Sequence, residues 1–503
     1  MENIINTFTD IVAYINSNIL WGIPMIVAIL FTGVWLTVRT RALQVRKFGT
    51  SIKTTIVPTV KSIAKPKKSK NGEKTISQFE AFSAAISGTV GTGNIVGVVT
   101  AMLSGGPGAV FWMWVSAFFG LVTNYSENVL GLYFRKKDKD GNVSGGPMYY
   151  ISEGMKVRWL ALAFAVCCLL AAVGMGMVQA NSISGTLQTA ITGGSSTVVA
   201  WICGIVVAVL TALIVIGGIK RIGRVASMIV PFMALLFILC AVIIVCINIV
   251  NLPAAFALIF TSAFNFQAVG GGFLGYMIAR AMRYGFARGV FSNEAGLGSS
   301  VIAHSASDTK EPVKQGLWGI FEVFLDTFVI CTLTALSMLT VTLSTGKYDF
   351  TAITENGDLT GNALASYPFT ETFGAFGQVM FSVILPLFAF TTIMAWSYYG
   401  EKAMGYLAGE KRAKVATTAF KVLYVLLLVV GAVAKSSLVW ELDDMFNAAM
   451  ALPNLISLIC LSGLVVKITK NYFDRKRGLN LEPMLSAYPE RNAELAAELD
   501  GED

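Results

Sequence analysis

Eight consecutive residues inside a long apolar run, Ser87-Gly88-Thr89-Val90-Gly91-Thr92-Gly93-Asn94, combine three glycines with four hydroxyl or amide side chains. Gly costs about 1 kcal/mol per helical position relative to Ala, and Ser, Thr and Asn compete for backbone partners. A regular helix is therefore not expected through this stretch. Broken backbone at membrane depth is tolerated only where it lines a cavity or is buried in protein. An unwound turn presents N–H groups on one side and carbonyls on the other. The N–H groups and the half-helix dipole suit a carboxylate; carbonyls and hydroxyls suit a small hard cation such as Na+. Thr89, Gly91, Thr92, Gly93 and Asn94 thus form a candidate site for a zwitterion next to a cation, without any fixed charge of their own. A second glycine-rich interruption is expected at 270–275 (GGGFLG), with Gly272 and Phe273 as pocket wall or gate. Two such interruptions in two halves of a chain point to the binding site of a secondary transporter. The competing reading of either one is a small-residue helix-packing surface.

Other polar groups in apolar surroundings join this set. Gln179 in GMGMVQANS lies beside Gly174, Gly176 and Ala180. The residues alone leave open an interhelical bond, worth about 0.6 kcal/mol on average for such contacts, and a cavity-facing role. Thr392 and Trp396 share a helix face one turn apart; the indole either closes a small pocket or belongs to an interfacial belt. Thr391 is a candidate sodium ligand together with the carbonyls of Ile86 and Thr89 and with Asn94, although Thr in membrane helices often bonds its own backbone. Glu322 and Asp326 stand at i, i+4, and intramembrane carboxylates are functional candidates by default. Asp326 either approaches the cation site and sets ion preference, or serves as an interhelical partner for an Arg or Asn. Glu127 and Glu294 fall near the cytoplasmic ends of expected spans, as gate or capping residues within reach of Arg280, Arg283 or Arg288. His304 is the one histidine; a single imidazole makes neither a metal site nor a proton relay, and it reads as structural.

The elements that must position these groups are membrane helices. Of 503 residues, 55% are hydrophobic and 14% charged, against about 25% charged in soluble domains; mean hydropathy is +0.66. Apolar runs long enough to span recur along the chain, and they do not alternate as barrel strands do. Eleven spans are expected, at about 15–38, 78–103, 107–134, 157–190, 197–219, 224–250, 262–284, 313–344, 373–400, 416–434 and 437–467. With the N-terminus outside, 36 of the 38 Lys and Arg fall in inner loops and only Lys347 and Lys435 in outer ones. This satisfies the positive-inside rule and places the C-terminus in the cytoplasm. The net charge of +8 then reports topology and contact with anionic lipid, not nucleic-acid binding. The seven cysteines show no metal-ligand spacing. The expected organisation is an extra first span (1–38), a basic cytoplasmic linker (39–77), two five-helix units (78–250 and 251–467) and a polar cytoplasmic tail (468–503) that docks weakly. Because five is odd, the second unit enters from the opposite side, an inverted repeat.

SGTVGTGNIVGV (87–98), GGPGAVFWMW (105–114), GGPMYYI (145–151) and ARGVFSNEAGLGS (287–299) resemble the alanine or glycine:cation symporter family of the amino acid–polyamine–cation superfamily. The resemblance covers roughly residues 15–470. It implies an all-α membrane protein with a leucine-transporter-like 5+5 inverted repeat, two broken helices and an extra N-terminal span. It also implies sodium-driven uptake of small neutral amino acids, typically alanine or glycine, across the cell membrane. By resemblance the broken first core helix falls on 89–94, the substrate-contacting glutamine on Gln179, the second broken helix on 271–273, and the pocket threonine and tryptophan on Thr392 and Trp396. Na+ is a co-transported ion here, and no resident cofactor is implied. The alternatives within transport are proton coupling through Glu322 and Asp326, and a larger neutral substrate such as glutamine. An intramembrane enzyme would need a nucleophile–base pair or a metal cluster. A channel would show repeated filter segments or rings of like charge. Neither pattern occurs in the sequence.

Overall fold

A computed structural model of the chain describes residues 2–55, 75–137, 141, 143–264, 271–348, 350 and 361–500. These are helical apart from irregular connections, one hairpin (Lys136–Lys137 with Val143–Ser144) and an isolated bridge between Ile76 and Ser307. The helices used below are α1 (Glu2–Ile15), α2 (Ile23–Arg39), α3 (Gln78–Thr89), α4 (Val96–Gly105), α5 (Gly108–Tyr133), α6 (Arg158–Thr192), α7 (Thr197–Val215), α8 (Gly218–Ile247) and α9 (Leu252–Phe264). They continue with α10 (Gly271–Asn293), α11 (Ser300–His304), α12 (Pro312–Val323), α13 (Thr332–Thr345), α14 (Gly361–Phe373), α15 (Ala375–Ala408), α16 (Ala413–Val433), α17 (Ser436–Arg475) and α18 (Pro489–Asp500). A π-helical stretch, Phe324–Cys331, joins α12 to α13.

Among the described residues seven helical units are long and apolar enough to cross a bilayer: α6, α7, α8, the α12–α13 unit, α15, α16 and α17. The first span is a pair of segments, Thr9–Leu20 and Ile23–Arg39, bent by 42°, and counts as an eighth if taken as one. The outer wall is built by α7, α8 and α16, whose Val206, Leu235 and Val430 are about half exposed, as residues facing lipid are. Inside, α6 packs along α15 and α17, and α5 along α10 and α12.

Local chemistry fixes where the inner helices begin and end. A capping box opens α3: Glu80 N donates to Ser77 Oγ (3.2 Å) and Ser77 N donates to Glu80 Oε2 (2.9 Å). Ile76 N donates to Ala306 O (3.1 Å) and Asp308 N to Ile76 O (2.8 Å), so the approach to α3 is tied to the segment leaving α11.

The structure differs from the expected spans in one region that matters. The expected interruption at 270–275 lies partly outside the described residues. The start of the run at 262–284 belongs to α9, residues 265–270 lie outside the described residues, and 271–275 are the opening turns of α10. The chain loses regular helix further on, at 294–299, where Glu294, Gly296 and Gly298 take φ of +54°, +97° and +77°. Glycines do not by themselves break a helix whose flanks favour it; a run of left-handed residues does.

The tail differs too. Instead of docking weakly, it is held at several points. Arg475 forks onto Glu311 (2.8 and 2.9 Å), Ala487 N donates to Tyr133 O (2.9 Å), and Leu485 and Leu495 are 1% and 3% exposed. The sequence pattern of charges hides two leucines that find a surface to cover.

Candidate functional site

Between α3 and α4 the chain unwinds. Val90 is extended (φ −83°, ψ 90°), Gly91 more so (φ −131°, ψ −153°), and Thr92–Asn94 make one 3-10 turn before α4 resumes. Side chains satisfy the freed amides: Gly91 N donates to Asn94 Oδ1 (2.9 Å) and Thr92 N to Gln179 Oε1 (3.4 Å). A Cβ on Gly91 would stand 2.5 Å from Thr392 Oγ1 and 3.3 Å from Gln179 Nε2, so only glycine lets α6 and α15 approach the break this closely. Gly91, Thr92, Gln179 and Thr392, separated by up to about 300 residues in the sequence, converge as expected. The hydroxyl of Thr92 is buried with no hydrogen-bond partner among the described residues.

Asp326 completes the other side of the break. Its Oδ1 accepts from Asn94 Nδ2 (2.5 Å), and its Oδ2 accepts from Ser292 Oγ (2.9 Å) and Thr327 Oγ1 (2.8 Å). Cys331 Sγ lies 3.4 Å from Asn94 Nδ2 and 3.2 Å from Ser292 Oγ, and Thr334 Oγ1 donates to Asn94 O (2.9 Å). Asp326 is fully buried. Of its two expected roles, the structure shows the interhelical one, with Asn94 of the broken segment as the partner. It is a hard, oxygen-rich cluster of one carboxylate, hydroxyls and carbonyls, the donor set that small hard cations take.

The second interruption, 294–299, meets the first: a Cβ on Gly93 would lie 3.0 Å from Phe291 Cδ1, one turn before Glu294. It is pinned from two helices. Glu127 Oε1 on α5 accepts from Gly296 N (3.0 Å) and Asn454 Nδ2 (2.5 Å), and Asn454 Nδ2 on α17 also donates to Gly296 O (2.9 Å). Glu294 Oε1 accepts from Trp396 Nε1 (3.0 Å) and Glu294 Oε2 from Ser299 Oγ (2.5 Å). Both carboxylates are fully buried. Arg288 does not partner them; it forms its ion pair with Asp444 in the third turn of α17 (2.9 and 3.1 Å). α10 carries Arg288 to the beginning of α17, near Lys435.

The remaining expectations fall as follows. Gly272 and Phe273 sit in the first turn of α10, and their side chains lie outside the described residues; the aromatic ring beside the first break is Phe291. Thr391 Oγ1 donates to Phe388 O (2.9 Å) and faces Met233 Sδ (3.5 Å), and Thr89 Oγ1 donates to Ile86 O (3.2 Å), so the proposed sodium hydroxyls are satisfied within their own helices. Glu322 and Asp326 part company where the π stretch begins. Glu322 Oε2 meets His304 Nε2 (2.7 Å), whose Nδ1 meets Gln315 Nε2 (2.6 Å), which makes His304 structural. Ser292, Thr327, Cys331 and Asn454 were passed over by the sequence reading. For Ser292 a signal existed in the 287–299 motif; for the others none stands out locally.

Two interrupted helices meeting inside a bundle of membrane helices define a secondary transporter. The fold matches that of MhsT, solved in complex with L-phenylalanine, with a TM-score of 0.54 at 15% identity over 79% of this chain and 99% of that one; a likeness at this identity concerns the fold alone. Residues 5–485 match the model of the sodium:alanine symporter family. The chain is 41% identical over 470 residues to the sodium/alanine symporter AgcS of Methanococcus maripaludis, covering 92% of this chain and 97% of that relative. It is 34% identical over 464 residues to a Bacillus subtilis relative named "Probable sodium/glutamine symporter GlnT", covering 92% and 90%. The chain belongs to the sodium:alanine symporter family and is a multi-pass membrane transporter, not an enzyme.

Proposed function

We propose that this protein is a sodium-coupled symporter of the cell membrane that imports small neutral amino acids, alanine and glycine foremost, by alternating access around the first break. The observation that carries this reading is the meeting of Gly91, Thr92, Gln179 and Thr392. The amides and hydroxyls there suit an amino acid's carboxylate, and the absence of a cationic side chain from this set favours a zwitterion over an acidic substrate. The Asp326–Asn94–Ser292–Thr327 cluster beside it is the reading's cation end; Ile86, Thr89 and Thr391 enter it only if their local bonds are exchanged for the ion. Sharing Asn94 and Thr92 on one turn, the two ends bind interdependently, since each ligand favours the conformation the other requires.

In this reading the chain has eleven spans: an extra first one and two inverted units of five, 78–250 and 251–467, with the N-terminus outside and the tail cytoplasmic. Moving Arg280, Arg283 and Arg288 to the outer side, as the course of α10 implies, still leaves 33 of 38 basic residues inside, in keeping with the positive-inside rule. The test is counterflow of labelled alanine into proteoliposomes, with and without a sodium gradient and with competing glycine, serine and glutamine. Alanine accumulation that follows the sodium gradient is expected. Accumulation indifferent to sodium but driven by a pH gradient would reassign the ion, and exclusive competition by glutamine would reassign the substrate.

A further inference from the structure

We infer that Glu294 is the positioning residue for Trp396, and that through the indole it sets how large an amino-acid side chain the pocket admits. The inference rests on the proposed placement of the substrate beside Thr392 and Trp396. Trp396 follows Thr392 by one turn of α15, and Thr392 Oγ1 is the atom a Cβ on Gly91 would strike. The indole is fully buried. A buried Trp N–H takes a partner, and here the partner is the carboxyl oxygen Glu294 Oε1 at 3.0 Å. The other carboxylate oxygen is held by Ser299 Oγ, so the group that orients the indole is itself oriented by the second break. At the opposite edge the ring packs on Tyr399, with centroids 5.4 Å apart and planes at 63°. Carboxylate and phenol ring together leave the indole one orientation.

The backbone supports a dedicated role. Glu294 ends α10 with its N–H still bonded to Val290 O (2.9 Å) and its φ at +54°. That position usually falls to glycine, which takes it without steric cost. Gly296 and Gly298 do so two and four residues on. A glutamate held in the left-handed region is there for its side chain, and strained residues of this kind cluster where geometry serves function. The consequence is a mechanical one: the wall of the first break's pocket is fastened to the second break, so the pocket's width depends on how the α10–α11 junction is set.

The experiment uses the full-length protein in proteoliposomes and reads the ratio of kcat/KM for alanine to that for glutamine. Glu294→Ala is expected to lower this ratio about tenfold, mainly through a raised KM for alanine, in line with leaving the buried indole N–H unsatisfied. Glu294→Gln keeps an acceptor oxygen for the indole and is expected to restore the ratio to within about twofold of the unmodified protein. Trp396→Phe removes the N–H and should give the same loss, with the double variant Glu294→Ala/Trp396→Phe no worse than either single one, the signature of two residues acting as a unit. A change in total uptake at constant ratio for Glu294→Ala, with the ratio shifted by Trp396→Phe, overturns the role of Glu294 and leaves the pocket standing. A ratio unmoved by Trp396→Phe removes Trp396 from the pocket, and the inference falls with it. If Glu294→Ala does not yield folded protein, Ser299→Ala frees the second carboxylate oxygen and should shift the ratio about twofold in the same direction; no shift there is equally decisive against the proposal.

Discussion

The two interruptions are built from the same kind of sequence, glycines with small polar residues, yet they end in opposite states. At 87–94 the stabilising groups are neutral and partly available: Thr92 Oγ1 has no partner among the described residues, and the amide of Thr92 is held by a long 3.4 Å bond from a side chain. At 294–299 Glu127 from α5 and Asn454 from α17 close on the backbone of Gly296, Glu294 bonds Ser299 Oγ and Trp396 Nε1, and Glu127 Oε2 is left without a partner among the described residues. In the proposed function the first stretch offers its free hydroxyl and its weakly held amide to a substrate that comes and goes. The other has its donors and acceptors taken up permanently by its own scaffold. A helix broken at membrane depth can therefore be either a receptor or a fastening, and what distinguishes them is who satisfies the backbone.

Breaking that contrast from the receptor side should have the largest effect. Asp326→Ala leaves the Thr327 hydroxyl without its acceptor and Asn94 and Ser292 with only Cys331 Sγ, and is expected to cut sodium-driven alanine uptake about a hundredfold, at about 1–3 kcal/mol per group left unsatisfied or weakly bonded; uptake against a stepped sodium gradient reads it. Next comes the fastening. Glu127→Ala leaves Gly296 N without its acceptor and Asn454 Nδ2 with only Gly296 O, expected to cost about 2–3 kcal/mol of stability in thermal unfolding, while the protein that remains folded loses only a few-fold in alanine affinity through the loosened junction. An affinity loss matching that of Asp326→Ala would mean the second break is also a receptor. Gly91→Ala places a methyl 2.5 Å from Thr392 Oγ1; overpacking of this kind costs about 1–3 kcal/mol, expected as about a tenfold weaker alanine affinity by equilibrium binding. The smallest change should come from Thr334→Val. Its hydroxyl serves both Asn94 O and Ile330 O, and the loss is expected at about 0.5–1 kcal/mol, seen as no more than a few-fold rise in the sodium concentration for half-maximal uptake.

Much of the first break was legible because its signal is local. Glycines and hydroxyls within eight residues announce that helix cannot continue, and Gln179, Thr392 and Trp396 carried motif-level resemblance. For the second break the sequence points to GGGFLG at 270–275, the richer glycine run, of which 271–275 are helical and the approach at 265–270 lies outside the described residues, while the interruption among the described residues is at 294–299. What decides the matter is not glycine content. It is the set of partners that hold a left-handed stretch open, and Glu127 and Asn454 lie 169 and 158 residues from Gly296. The same distance hid the pairing of His304 with Glu322 and the seat of the tail. Intramembrane acids could be recognised as meaningful one by one; which of them would meet a donor, and which a histidine, depended on packing that no window of sequence contains.

The π stretch between α12 and α13 has a consequence for how Asn94 is gripped. Asp326 and Thr334, eight positions apart, both reach that one residue, the first at its amide and the second at its carbonyl. On an uninterrupted α-helix eight positions turn through roughly 800°, leaving the two side chains about 80° apart in azimuth. A π insertion absorbs one extra residue, so the eight behave as about seven, roughly 700°, and the pair falls within about 20° of a common direction. Straightening Phe324–Cys331 into regular α-helix with all its residues kept would thus leave every side chain in the sequence and still pull the jaws of the grip out of phase, whereas losing one residue together with the π turn would keep them aligned.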